Sequence, residues 1–154
     1  MEHRSFDITN KGKKAIQDLY IKYPEIEEIE ECVKFYDKDL TPDELSRCAV
    51  QMSILLIRIG GLVAELQSLA NEAYIYRKFK YLWSYTSLKK DIKVKDKENI
   101  ALEDTFEHYE AELLNRFIAD FFKTQYESWS RLIMNIQSRL NVLKSERINA
   151  NQQV

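Results

Sequence analysis

Residues 74 to 90 read YIYRKFKYLWSYTSLKK. Six of these seventeen residues are aromatic, five are basic and none is acidic. Cations that hold phosphates, beside rings that stack on bases, are what a single-stranded nucleic acid asks of a protein surface. Helical spacing sorts the side chains. Tyr74, Lys78, Tyr81, Tyr85 and Lys89 recur at steps of four, three, four and four, so they form one line on a helix. With Arg77, and with Lys90 and Lys93 just beyond, they make the candidate nucleic-acid-binding set. The same line could instead pack against a neighbouring subunit or a short N-terminal helix, its lysines reaching to water. Tyr76 and Trp83 fall on a different, heptad row with Phe79 at its border, and are expected in the core.

Charge sets this segment apart. The 154-residue chain has a formal charge of −2, yet residues 74–97 hold eight basic residues against Asp91 and Asp96, a balance of +6. The flanking regions are all net negative. The acidic run PEIEEIEE carries Glu25, Glu27, Glu28, Glu30 and Glu31 near a helix start, where carboxylates suit the helix dipole. The other reading of that run is a surface that imitates nucleic acid.

Catalytic signatures are lacking. His3 lies near the N-terminus, and the residue three before His108 is Thr105, so no Glu-x-x-His pair for a di-iron bundle exists. Asp104 and Glu112 stand one turn to either side of His108, which predicts a partly exposed, ion-paired histidine. No zinc spacing, phosphate-binding glycine loop or nucleophile elbow occurs. The expectation is a protein that is not an enzyme, with no cofactor, metal or small-molecule substrate. Cys32 and Cys48 lie in apolar stretches and read as small core residues. With no signal-peptide pattern, the expected compartment is the cytoplasm. The apolar run 48–64 is short for a membrane span and contains Gln51, Arg58 and two glycines, so it reads as a helix covered on most sides.

The elements that position these residues are helices. All three glycines and both prolines lie in the first 61 residues. Sheets and tight turns need such breakers, and long helices avoid them. A short helix is expected over about 10–22, with Ala15, Ile16, Leu19 and Tyr20 on one face. A second follows Pro24, with Ile26, Ile29, Val33 and Tyr36 as its stripe. LTPDEL then places Thr41 at N-cap, Pro42 at N1 and Glu44 at N3, a capping box, with Leu40 and Leu45 where a hydrophobic staple belongs. Two heptad rows follow: Leu45, Met52, Ile59, Leu66, Ala73, Lys80, and Cys48, Leu55, Leu62, Leu69, Tyr76, Trp83. They predict a helix from about 42 to about 91, roughly 75 Å long. Gly60 and Gly61 mark a kink or a close approach.

The charged segment 91–99 is expected to turn the chain, with Asn99 or Asp104 capping the next helix. That helix runs to about 148 along Ile118, Phe122, Tyr126, Trp129, Ile133, Ile136, Leu140 and Leu143, with Phe106, Tyr109, Leu113 and Phe117 extending the apolar face. NANQQV should fray. The expected architecture is all-α and a single structural domain. Two short N-terminal helices over 1–40 precede a long, coiled-coil-like antiparallel hairpin over 41–154. Such a hairpin exposes much apolar surface, which predicts a homo-oligomer.

This layout resembles the UvsY-type recombination mediators of tailed phages over about residues 42 to 150. The resemblance rests on NEAYIYRKFKYLWSY, the charged turn, and YESWSRLIMNIQSRLNVLKSER with Tyr126, Trp129, Arg139, Lys144 and Arg147. It implies a small helical protein that forms ring-like oligomers, binds single-stranded DNA and helps load a recombinase. The competing expectation is a phage assembly component or helical adaptor without nucleic-acid affinity, whose aromatic line is a protein interface.

Overall fold

Beyond Gly61 the sequence has no glycine or proline, and there the chain is helical almost without interruption. The computed structural model describes the backbone of residues 2–36 and 40–152, and the side chains of residues 10–34 and 40–149. Among these residues there are five helices and no strand, and the fold is all-α. They are α1 (Glu2–Lys22), α2 (Glu25–Tyr36), α3 (Pro42–Ser87), α4 (Val94–Asp104) and α5 (Phe106–Gln152). The side chains of His3 and Tyr36, and the tail residues Gln153 and Val154, lie outside the described residues. The chain divides into two compact units. The first is Met1–Gln17 with Ala64–Phe121, and the second is Asp18–Val63 with Phe122–Val154.

The second unit holds the larger apolar core. Ile26 and Ile29 of α2, Leu45 and Met52 of α3, and Phe122 and Ile136 of α5 are its most completely buried side chains. Each contributes on the order of 1.5–3 kcal/mol through burial. At Tyr23 and Pro24 the chain turns within two residues, with Glu27 N–H donating to the Pro24 carbonyl at 3.0 Å. Tyr20 Oη donates to Glu30 Oε1 at 2.9 Å, and its ring tilts against Phe122 with centroids 6.4 Å apart. The capping box closes as the sequence predicts. Thr41 N–H and Oγ1 donate to Glu44 Oε2 at 2.8 and 2.7 Å, and Glu44 N–H returns to Thr41 Oγ1 at 3.4 Å. A Cβ placed on Gly60 would meet the Tyr126 ring at 3.5 Å, whereas one on Gly61 would meet nothing within 4 Å. So α3 continues through both glycines, and only Gly60 accommodates a neighbour.

The heptad rows separate from the real buried face partway along α3. In the second row, exposure is 8% at Cys48, 6% at Leu55 and 7% at Leu62, then 44% at Leu69, 50% at Tyr76 and 62% at Trp83. A straight α-helix drifts about 20° per heptad from a strict seven-residue repeat, or roughly 100° over five heptads. That drift carries Tyr76 and Trp83, expected in the core, onto the surface, and Phe79 with them. The covered positions become Leu66, Ala70, Ala73, Arg77, Tyr81, Ser84 and Leu88. Leu66, Arg77 and Leu88 are eleven residues apart, the spacing a straight helix keeps in phase.

The first unit is therefore joined by polar groups where the sequence suggests an apolar seam. Arg77 pairs with Glu112 and Ser84 Oγ donates to Asp104 Oδ2 at 2.5 Å. Of the apolar face expected at the start of α5, Tyr109 and Phe117 are exposed while Glu112 and Thr105 are buried. Gly12 of α1 lets the Phe117 ring come within 3.1 Å of where a Cβ would stand.

The expected turn at 91–99 is shorter and earlier. Helix α3 ends at Ser87, and α4 begins at Val94, so Asn99 lies inside a helix. Lys93 stands at its N-cap with no side-chain cap bond. A second break follows at Thr105, whose hydroxyl bonds back to the Ala101 carbonyl at 2.7 Å and whose backbone (φ −106°, ψ 7°) leaves the helix for one residue. Alternating charges hide both features from periodicity, because a short polar helix leaves no apolar stripe to count.

By length and composition α3 could also cross a membrane: its most apolar 18-residue stretch has a mean hydropathy of 1.6, and 39% of that stretch is buried.

Candidate nucleic-acid interface

The aromatic, basic segment belongs to the first unit, on the last turns of α3 and the loop into α4. The helix ends cleanly. Thr86 Oγ1 donates to the Leu82 carbonyl at 2.8 Å and Ser87 Oγ to the Trp83 carbonyl at 2.7 Å, both bonding back onto carbonyls of the preceding turn. Lys97 Nζ donates to the Leu88 carbonyl at 3.3 Å and so holds α4 to the loop. Lys89, Lys90, Lys93 and Lys95 remain exposed.

The structure divides the sequence-predicted set. Lys78, Lys89, Lys90 and Lys93 are exposed cations, as a phosphate contact requires. Tyr74, Tyr81 and Tyr85 are half-buried. Tyr81 and Tyr85 stack on each other with centroids 6.3 Å apart and planes at 19°, so part of each face is already used. Lys78 Nζ sits 4.6 Å above the Tyr74 ring. Arg77 turns inward. Its guanidinium lies 5.7 Å from the Tyr74 ring and 5.5 Å from the Tyr109 ring, and its Nε donates to Glu112. Arg77 is a structural cation at this site, not a free one.

The open rings are others. Ile75, Tyr76, Phe79, Leu82 and Trp83 are each at least half exposed and share one face of α3. Lys80 lies beside them, its Nζ 5.5 Å from the Tyr76 centroid and 5.8 Å from that of Trp83. His108 meets Tyr76 edge-on with centroids 5.0 Å apart at 88°. The carboxylates expected to pair with His108 are engaged elsewhere, Asp104 by Ser84 and Glu112 by Arg77 and Arg116. Sequence reasoning missed Tyr76, Phe79, Lys80 and Trp83 as surface groups. The available signal was the eleven-residue recurrence of Leu66, Arg77 and Leu88, which competes with the heptads.

No family model, curated protein or solved structure matches this chain.

No group of three or more metal-ligating side chains occurs among the described residues. What the site offers chemically is exposed ring faces, cation–π contacts and exposed ammonium groups. Two grooves in the second unit are of another kind. One of about 820 Å³ runs between α2 and α5 past Trp129, and one of about 530 Å³ between α2 and α3 past Ile54 and Arg58. Both mix acidic, basic and apolar walls without a focus of one charge.

Proposed function

We propose that this chain is a non-enzymatic accessory protein that binds single-stranded DNA, self-assembles, and acts in the manner of a recombination mediator that helps load a recombinase. One observation carries the reading: Tyr76, Phe79 and Trp83 stand in the open beside Lys80, within a segment of charge +6. Rings this exposed keep faces open to a base, and each base stacked on one is worth about 1–3 kcal/mol. Lys78, Lys89, Lys90 and Lys93, all exposed, track the phosphates. In this reading α3 and α5 form one long antiparallel hairpin. The recombinase role rests on the resemblance to the UvsY-type mediators alone.

Self-assembly has its own support. Val50, Ile54 and Ile57 form an exposed apolar stripe on α3 within the second unit, one turn from the open Gly61. That stripe also favours the second reading, a helical assembly protein or adaptor with no nucleic-acid affinity.

Fluorescence anisotropy with labelled single-stranded DNA across a salt series tests the proposal. Binding should weaken steeply with salt, by a slope of about −0.7 per phosphate contacted. Phe79→Ala with Trp83→Ala should remove binding while helicity is kept. Unchanged affinity in that variant defeats the site, and no affinity in the parent chain selects the adaptor reading. Sedimentation of Ile54→Glu with Ile57→Glu tests the assembly face.

A further inference from the structure

The chain has two cysteines, and the second unit brings them together. Cys32 lies on α2 and Cys48 sixteen residues later on α3. Cys48 Sγ points at the Cys32 carbonyl oxygen from 3.8 Å, with Met52 Sδ at 3.8 Å on another side. Cys32 is partly exposed and Cys48 is buried. Both line one solvent-open pocket of about 330 Å³, together with Leu40, Glu44, Arg47 and Gln51. Burial, and then the adjacent Cys32 thiol, push the Cys48 thiol up to about 11. The pair thus has one sulfur that an oxidant can reach and one held protonated beside it. A buried structural cysteine needs neither a partner thiol nor a pocket.

We propose that Cys32 and Cys48 are a redox-modification site, at which hydrogen peroxide converts the two thiols to an intrachain disulfide joining α2 to α3. The Cys32 thiolate attacks the peroxide, the O–O bond breaks, and one water leaves with Cys32 as the sulfenic acid. The Cys48 sulfur then attacks the Cys32 sulfur as its proton is lost. The S–O bond breaks and the oxygen leaves as a second water. Two thiols are oxidised and one peroxide is reduced to two waters. The bond closes a loop that carries the Thr41 capping box and ties α2 over the core made by Ile26 and Ile29. In a reducing compartment such a bond is transient and reports oxidant. The inference is independent of the DNA reading, whose residues lie in the first unit.

The experiment treats the full-length reduced chain with hydrogen peroxide, then denatures it and labels free thiols with a maleimide. Two labels are expected before treatment and none after, with an intact mass lower by about 2 Da and full recovery on reduction. The oxidised chain should melt about 6–12 °C higher, as expected for a loop of this length. Cys48→Ser should stop at a one-oxygen adduct on Cys32, and Cys32→Ser should leave Cys48 unmodified over the same interval. Retention of both labels overturns the proposal. So does a disulfide found only between two chains, or oxidation of Cys32 to the sulfinic acid in the parent chain with Cys48 still free.

Discussion

Arg77 of α3 donates from Nε to Glu112 Oε2 of α5, and that carboxylate is 3% exposed, with its other oxygen held by Arg116 at 3.2 Å. A buried carboxylate between two guanidiniums is the group whose partners cannot be removed without cost. Arg77→Ala should lower unfolding stability by about 3 kcal/mol in urea titration. Replacing the pair together, by Arg77→Met with Glu112→Leu, should recover most of that loss. A free phosphate-binding arginine at this position would give the opposite pattern, a loss of DNA affinity at constant stability.

The two tryptophans occupy opposite environments. Trp83 is 62% exposed and Trp129 is 5% exposed. Iodide should quench roughly the Trp83 share of the emission, and Trp83→Phe should leave a blue-shifted, iodide-resistant spectrum. Single-stranded DNA should quench the parent chain and not that variant. Trp83→Ala should weaken DNA binding by about 1–3 kcal/mol with little change in melting temperature.

The glycines separate by what surrounds them. Gly61→Ala should stabilise the chain by about 0.5–1 kcal/mol, since the helix keeps its backbone and the new methyl meets nothing within 4 Å. Gly12→Ala should gain less or lose stability, because the Phe117 ring lies 3.1 Å from the added carbon and must give way. Thermal melts of the two single variants check the order.

Glu44 gives the acid limb of the stability profile a defined origin. The Thr41 backbone N–H, and then its hydroxyl, hold the Glu44 carboxyl below the usual carboxylate range. A depressed acid contributes stability that is present above its unfolded value and lost as pH falls through its folded one. Thr41→Ala should therefore lower stability at neutral pH and progressively less in acid. Chemical denaturation at several pH values checks it.

Tyr20 marks the alkaline limb. Burial first, then its hydrogen bond to Glu30 and the charge of that carboxylate, push its phenol up to about 12. A raised acid contributes stability that is complete below the unfolded value near 10 and is lost as pH rises through about 12. Absorbance titration at high pH should show one late-ionising tyrosine, and Tyr20→Phe should remove that phase.

The sequence by itself determined that the chain is all-α, where α3 begins, and which residues form the α5 stripe from Ile118 to Leu140. These are local properties: missing breakers, a capping box whose donors and acceptors sit three residues apart, and apolar spacing read over a few turns. It also located the basic segment, because charge adds along a chain without reference to packing. Only the tertiary structure decided which face of α3 the segment presents. Seven-residue counting and the 3.6-residue helix disagree by a small angle at each repeat, and the error becomes visible only after several turns. By Trp83 it has exchanged inside for outside. The exposed ridge of Tyr76, Phe79 and Trp83, the inward Arg77 and the meeting of Cys32 with Cys48 all depend on that accumulated phase or on contacts between helices. Neither is written in the spacing of one helix.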